Sequence, residues 1–222
     1  MAMNIVDRID NLVGIRHMLV SVSDKSGLDT FVPKLAAMNP ELKIFSTGGT
    51  FSRLQEILGA SAGSHLTRVS DYTGQPETQG GLVKTLDFKI YLGLLTETYN
   101  DAHQDDLKRT GAVPIDMVVV NLYPFQETIS KADVTVEQAR GNIDIGGPCM
   151  IRAAAKNFIR VAPVVDPADY GLPVDKIFQP AWSPDGTRLA FRRYQDETVT
   201  LHVWDRTSGP KVDTCRRRPS SR

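Results

Sequence analysis

The chain has 222 residues, with 26 basic and 26 acidic side chains and therefore no formal net charge. That balance excludes a generally polyanion-binding protein and points to a small-molecule partner, with no nucleic acid expected. Two cysteines, Cys149 and Cys215, and four scattered histidines offer neither a disulfide framework nor a metal-ligand spacing. No metal site is expected, and with Asp7, Arg8, Asp10 and Arg16 interrupting the N-terminal segment the reading is a cytoplasmic protein with no signal peptide and no membrane span.

Residues 1–16 read as a polar leader. His17-Met18-Leu19-Val20-Ser21-Val22 is a short apolar, β-branched run that stops at Ser23-Asp24-Lys25-Ser26-Gly27, which predicts a strand and then a loop. Leu28, Phe31, Val32, Leu35 and Ala36 then recur at helical spacing up to Asn39-Pro40. The unit repeats with Leu42-Lys43-Ile44-Phe45, the loop Ser46-Thr47-Gly48-Gly49-Thr50, and a helical pattern through Phe51, Leu54, Ile57 and Leu58. Met117-Val118-Val119-Val120 reads as the most buried strand and runs into Asn121-Leu122-Tyr123-Pro124-Phe125. Helices are expected near 105–109 and 136–143, and 161–165 reads as the last strand of the series. Strand, loop and helix in succession predict an α/β domain with a parallel sheet whose ligands sit beyond the carboxyl ends of the strands. Past about Gly171 the character changes to a turn and strand around 181–191 and a period-two run at 198–204, a β-hairpin, with 216–222 reading as a disordered basic tail.

The densest chemistry lies in Asn142-Ile143-Asp144-Ile145-Gly146-Gly147-Pro148 and the helix-forming run ending at Lys156-Asn157. Pro148 suits a first helical turn, so Asp144 stays in the loop ahead of it and Lys156 falls about two turns along. An acid and a base could then approach one ligand from two sides. Hydroxyls, Lys25 and glycine N–H groups in the loops at 23–27 and 46–50 are what a phosphate needs, but each loop alone is equally an N-cap and tight turn. Two such loops at equivalent strand ends bring those readings level. Lys84 and Thr85 sit in an apolar segment, where a solvent-facing lysine is the commoner case, and Tyr123 before Pro124 is more often a packing residue. Asp144 and Lys156 also fit a structural ion pair. His65, His103 and His202 read as surface residues, and Cys149 as a small buried side chain.

Six segments resemble, in order over roughly residues 15–171, the IMP cyclohydrolase domain of the bifunctional purine-biosynthesis enzyme. They are Ser21 to Gly27, Ser46 to Thr50, Val69-Ser70-Asp71-Tyr72-Thr73-Gly74, Val83-Lys84-Thr85-Leu86, Val120 to Phe125, and Asn142 to Asn157. The resemblance implies a three-layer α/β, methylglyoxal-synthase-like fold, a homodimer, and ring closure of a formamidoimidazole carboxamide ribonucleotide to IMP without metal or cofactor. By position it implies that Ser23, Asp24, Lys25, Ser46, Thr47, Gly48 and Gly49 hold the purine ribonucleotide's phosphate and ribose. Thr85, Asn121, Leu122, Ile145 and Gly146 match further nucleotide contacts. Lys156 falls on the family's proton-transferring lysine. The expected catalytic set is Lys156 and Asp144 as a proton shuttle, with Tyr123 and Lys84 supporting an oxyanion. Leu82 and Asp87 stand where the family has arginine and histidine, and Phe158 where histidine is common. Residues 180–207 resemble one blade repeat of a TolB-type β-propeller through Trp182-Ser183-Pro184-Asp185-Gly186. The expected organisation is therefore a C-terminally truncated cyclohydrolase domain over 1–172 and a foreign segment over 173–222. Phosphate-eliminating chemistry on the same fold and a catalytically inactive nucleotide-phosphate-binding or protein-interaction module are the rival readings.

Overall fold

The computed structural model describes residues 6, 8, 10, 13–76, 78 and 84–171, and the strand backbones at 177–182, 188–195, 198–205, 209–211 and 216–217. These fall into two compact units, with Gly14–Tyr170 in the first and Gly171–Arg222 in the second. Leu82, the expected turn at 183–187 and the tail at 218–222 lie outside the described residues.

The first unit runs β1 (His17–Val22), α1 (Leu28–Met38), β2 (Lys43–Ser46), α2 (Gly48–Leu58), α3 (Ala62–His65), β3 (Leu66–Arg68) and α4 (Val69–Thr73). It continues with α5 (Phe88–Leu95), α6 (Asp101–Thr110), β4 (Met117–Asn121), α7 (Phe125–Ile129), α8 (Val136–Gly141), α9 (Gly146–Lys156) and β5 (Ala162–Val164). The strands form one sheet in the order β3-β2-β1-β4-β5, and every pair is parallel. The chain builds outward from β1 to β3 and then returns to place β4 beside β1. The strand order therefore reverses between β1 and β4, and such a reversal leaves a crevice beyond the carboxyl ends of the two strands.

A parallel sheet is covered on both faces, which is why its central strands are apolar runs rather than alternating ones. Leu19, Phe45, Val118 and Val120 point to one face and pack with Ile90 and Leu94 of α5 and Met150, Ala153 and Ala154 of α9. Met18, Val20, Ile44, Met117 and Val119 are just as buried and, by strand alternation, turn to the other face. There α1 and α2 contribute the buried Leu28, Phe31, Val32, Leu35 and Leu54. The result is three layers, helix, sheet and helix. Each large aliphatic side chain so buried is worth about 1.5–3 kcal/mol.

Close approach on the α5 side has a specific requirement. A Cβ on Gly93 would collide with the Val113 carbonyl and press on Ile115, whose N–H donates to the Gly93 carbonyl at 2.9 Å. Gly93→Ala should therefore cost about 1–3 kcal/mol of stability. The expected readout is a lower urea midpoint with an unchanged slope.

Beneath the amino ends of β4 and β5 lies a buried polar hub. Arg160 Nη1 donates to Asp116 Oδ1 at 3.1 Å, and Asp116 Oδ2 accepts from Arg16 N and His17 N at 2.9 and 3.0 Å. Arg160 Nε and Asn157 Nδ2 both reach the Thr96 carbonyl, at 2.9 Å each, tying the end of α5 to the chain after α9. Burial lowers the pKa of the Arg160 guanidinium and the charge of Asp116 opposes that shift. His65 is buried as well, its Nδ1 at 2.8 Å from the Leu42 carbonyl, so the reading of His65 as a surface residue is corrected. A side-chain hydrogen bond to the backbone just ahead of a strand carries no sequence signature, which is why that histidine looked idle.

The second unit is an antiparallel sheet of β6 (Ile177–Trp182), β7 (Arg188–Gln195), β8 (Thr198–Asp205), β9 (Gly209–Lys211) and β10 (Arg216–Arg217). Its centre is the expected hairpin, with Arg188 opposite Asp205 and Gln195 opposite Thr198. Arg216 and Arg217, read from composition as part of a tail, pair with Thr200 and Val199 of β8. No helix among the described residues is long and apolar enough to cross a membrane.

Candidate functional site

The crevice at the β1/β4 reversal opens into a cleft of roughly 700 Å³. Its floor is fixed by side chains that bond to neighbouring loops. Asn121, the last residue of β4, accepts from Ser23 N and Asp24 N at 2.7 and 2.8 Å and donates from Nδ2 to the Asp24 carbonyl at 2.8 Å. Thr50 of α2 does the same for the end of β1: its Oγ1 accepts from Val22 N at 3.3 Å and donates to the Val22 carbonyl at 3.0 Å. Ser46 is fully buried and donates to the Val20 carbonyl at 2.8 Å, so its hydroxyl supports the loop from below. Asp24 turns away into its own loop, where the hydroxyl and N–H of Ser26 hold its carboxyl below the usual range.

One end of the cleft is the first turn of α2. Thr47, Gly48 and Gly49 line it, and no side-chain hydrogen bond from Thr47 caps the helix. Gly48 has φ +49°, in the left-handed region that favours glycine. A Cβ there would lie 3.0 Å from Lys84 Nζ, and one on Gly49 would lie 4.0 Å from the Lys25 side chain. The Lys84 ammonium thus lies over a helix N-terminus, with the Lys25 side chain beside it and its Nζ donating to the Ser23 carbonyl at 3.2 Å, which suits an anion such as phosphate.

The other wall follows β4. Tyr123, Ile143, Asp144, Ile145 and Gly146 line it. Asp144 Oδ1 accepts from Gly147 N at 2.8 Å and caps the first turn of α9, whereas Oδ2 has only a long contact, 3.4 Å, with Tyr123 N. One carboxylate oxygen is therefore structural and the other, on a cleft-lining residue, keeps acceptor capacity to spare. Gly146 and Gly147 let this wall close in, since Cβ atoms there would meet Thr85 Oγ1 at 2.5 Å and Leu122 at 2.6 Å. Lys84 and Thr85, adjacent in the chain, thereby touch both walls.

The expected site residues are largely brought together. Ser23, Lys25, Thr47, Gly48 and Gly49 line the cleft on one side, and Lys84, Thr85, Asn121, Tyr123, Asp144, Ile145 and Gly146 complete it. Asp24, Ser46 and Leu122 support it without lining it. Lys156 lies elsewhere: it is the last residue of α9, exposed, and ten residues of helix separate it from Gly146, about 15 Å. Asp87, where the resemblance puts histidine, is 5% exposed and caps α5 by accepting from Lys89 N at 2.7 Å. Sequence reasoning passed over Thr50 as a strand clamp, although it closes the hydroxyl-rich loop, and over Arg140, which also lines the cleft. Among the described residues no group of three or more His, Cys, Asp or Glu is placed to hold a metal ion.

The bifunctional purine biosynthesis protein PurH of Ruminiclostridium cellulolyticum is 49% identical over 156 residues, 70% of this chain and 29% of that protein. Those of Bacillus subtilis and Chlorobium phaeobacteroides are 48% and 51% identical over 163 residues, 73% of this chain and 30% of each. The chain thus spans less than a third of the length of these curated relatives. A solved structure described as the crystal structure of ForH matches with a TM-score of 0.58 at 29% identity, covering 73% of this chain and 79% of that one. The MGS-like domain family matches residues 27–149, more than half of the 222, and the chain belongs to that family.

Proposed function

We propose that this chain is an IMP cyclohydrolase, closing 5-formamidoimidazole-4-carboxamide ribonucleotide to IMP in the last step of purine synthesis. The observation that carries the reading is the convergence, in one cleft, of an anion-suited helix N-terminus beside Lys25 and Lys84 with Tyr123 and with Asp144, whose Oδ2 has only a long contact. Identity near 50% to proteins named for purine biosynthesis supports it. In the reaction the carboxamide nitrogen bonds to the formyl carbon. The former formyl oxygen then leaves as water, taking one proton from the carboxamide nitrogen and one from the formamide nitrogen, whose bond to carbon becomes double.

The residues divide that work. Asp144 Oδ2 accepts the carboxamide proton while its other oxygen stays on Gly147. Tyr123 and Lys84 stabilise the oxygen as it gains charge, and Lys25 with the α2 turn holds the phosphate. Lys156 retains a proton-transferring role on resemblance alone, with no contact in the cleft. Exposed Leu122, Tyr123, Ile143 and Ile145 near the cleft support a homodimer, and the reading puts the enzyme in the cytoplasm with no cofactor.

Ultraviolet-monitored conversion of the formylated ribonucleotide tests the assignment. Lys84→Ala should lower kcat/KM by about 10- to 100-fold through loss of a charge-assisted contact. The alternative, a nucleotide-phosphate-binding module without turnover, is favoured by the distance of Lys156 from the cleft. A folded chain that binds IMP and converts no substrate would establish that alternative instead.

A further inference from the structure

Arg140 lines the same cleft as Lys25, Lys84 and Asp144, and no role in the cyclohydrolase reading uses it. It lies in the last turn of α8, a short helix whose first turn is fixed by the Thr135–Gln138 capping box. Asn142 Nδ2 bonds back to the Gln138 carbonyl at 2.9 Å, and Ile143 N donates to the Arg140 carbonyl at 3.2 Å. The chain then passes directly into Asp144, so Arg140 belongs to the wall that follows β4. β4 is two strands from β2, about 10 Å at ordinary strand spacing. This wall therefore meets a different end of a ligand from the one held at the α2 turn.

The present partner of Arg140 holds it weakly. Its Nε and Nη2 donate to Glu137 Oε2 at 3.1 and 2.8 Å, with the two side chains 72% and 76% exposed. Exposed pairs of this kind contribute little and are screened by salt. A guanidinium presents five donors in a planar fork, and among the described residues two are engaged, both on Glu137. Arg140, Lys25 and Lys84 set three cations against the carboxylate of Asp144, which suits a ligand carrying acceptors at both ends.

We propose that Arg140 exchanges Glu137 for the nucleotide and donates its fork to the carbonyl oxygen at the heterocyclic end, making it a specificity-determining residue. The proposal rests on the cyclohydrolase reading and adds the group that recognises the base. Calorimetric binding of IMP and of ribose 5-phosphate to the full chain, to Arg140→Ala and to Glu137→Gln tests it. Arg140→Ala should weaken IMP by about 10- to 100-fold and leave ribose 5-phosphate within about twofold. Glu137→Gln should hold or tighten IMP by freeing the fork. Unchanged IMP binding in Arg140→Ala would overturn the proposal, and so would equal weakening of both ligands, which puts the arginine at the phosphate or in the fold. An IMP loss in Glu137→Gln as large as in Arg140→Ala would also overturn it, because the ion pair and not the free fork would then matter. Failure of the unmodified chain to bind IMP would overturn the cyclohydrolase reading and this proposal with it.

Discussion

Asp144→Asn should stay folded, keep its affinity for IMP within a few-fold, and convert the formylated ribonucleotide about 10²–10⁴-fold more slowly, the usual contribution of one positioned acid or base. The two oxygens of the side chain have different partners. Oδ1 caps α9 through Gly147 N at 2.8 Å, and an asparagine oxygen accepts that bond equally well. Stability should therefore change by less than about 1 kcal/mol, as expected when one good cap replaces another. Oδ2 has only a 3.4 Å contact with Tyr123 N, and in asparagine that position becomes an NH₂ that donates and cannot take a proton. A variant that folds and binds but does not turn over separates the chemical role from the structural one. Turnover at the unmodified rate would reduce Asp144 to a helix cap. Asp144→Ala is the less informative change, because it removes cap and base together.

The frame of this domain was legible because its strands obey a simple rule. Met18-Leu19-Val20 and Val118-Val119-Val120 are covered on both faces, so they are apolar at every position and stand out from any flanking loop. β3 was not legible: Leu66, Thr67 and Arg68 are three half-buried residues whose strand character comes only from pairing with β2. α5 was missed for the opposite reason. Phe88 to Leu95 is apolar almost throughout, and a helix without a polar face shows no period to read.

The site was legible to the same degree and failed for a related reason. Its loops were found because glycine, hydroxyl and lysine clusters at strand ends carry their own chemistry, but a cluster does not say which way each group points. Ser46 turns inward to Val20, Asp24 turns into its own loop, and Asn121 spends its amide on holding Ser23 and Asp24. Counting along the α9 run put Asp144 and Lys156 on one ligand. The helix starts at Gly146 with its first turn at the cleft, so every further residue moves away from the ligand and Lys156 ends at the far end. Arg140 escaped because an arginine beside a glutamate one turn back reads as an ordinary surface pair, which is also its geometry in this structure.

Arg160→Met should destabilise the chain by about 3–5 kcal/mol, a large part of the stability of an ordinary domain, while leaving KM unchanged in the protein that remains folded. Arg160 and Asp116 are 7% and 2% exposed at the side chain, so removing the guanidinium leaves Asp116 Oδ1 charged, buried and without its partner. It also strips one donor each from the Thr96 and Gly93 carbonyls, which keep Asn157 Nδ2 and Ile115 N as their remaining partners, so these losses add less than the orphaned carboxylate. Methionine fills the volume with a flexible apolar chain, so the loss reflects polar partners more than a cavity. The hub lies at the amino end of β4, where Asp116 precedes Met117, and the cleft lies beyond its carboxyl end at Asn121. A strand of five residues keeps the two ends about 17 Å apart, so ligand affinity should not feel the change. The double change Asp116→Leu with Arg160→Met should recover part of the loss, because replacing both members of a buried pair is often close to neutral where removing one is not. Recovery will be incomplete, since Asp116 Oδ2 also accepts from Arg16 N and His17 N and leucine leaves both donors open. Urea unfolding of the three proteins measures this directly: a single change costing less than about 1 kcal/mol would show that the hub is incidental to stability, and a double change no better than the single would place the loss in the backbone partners instead of the charge pair.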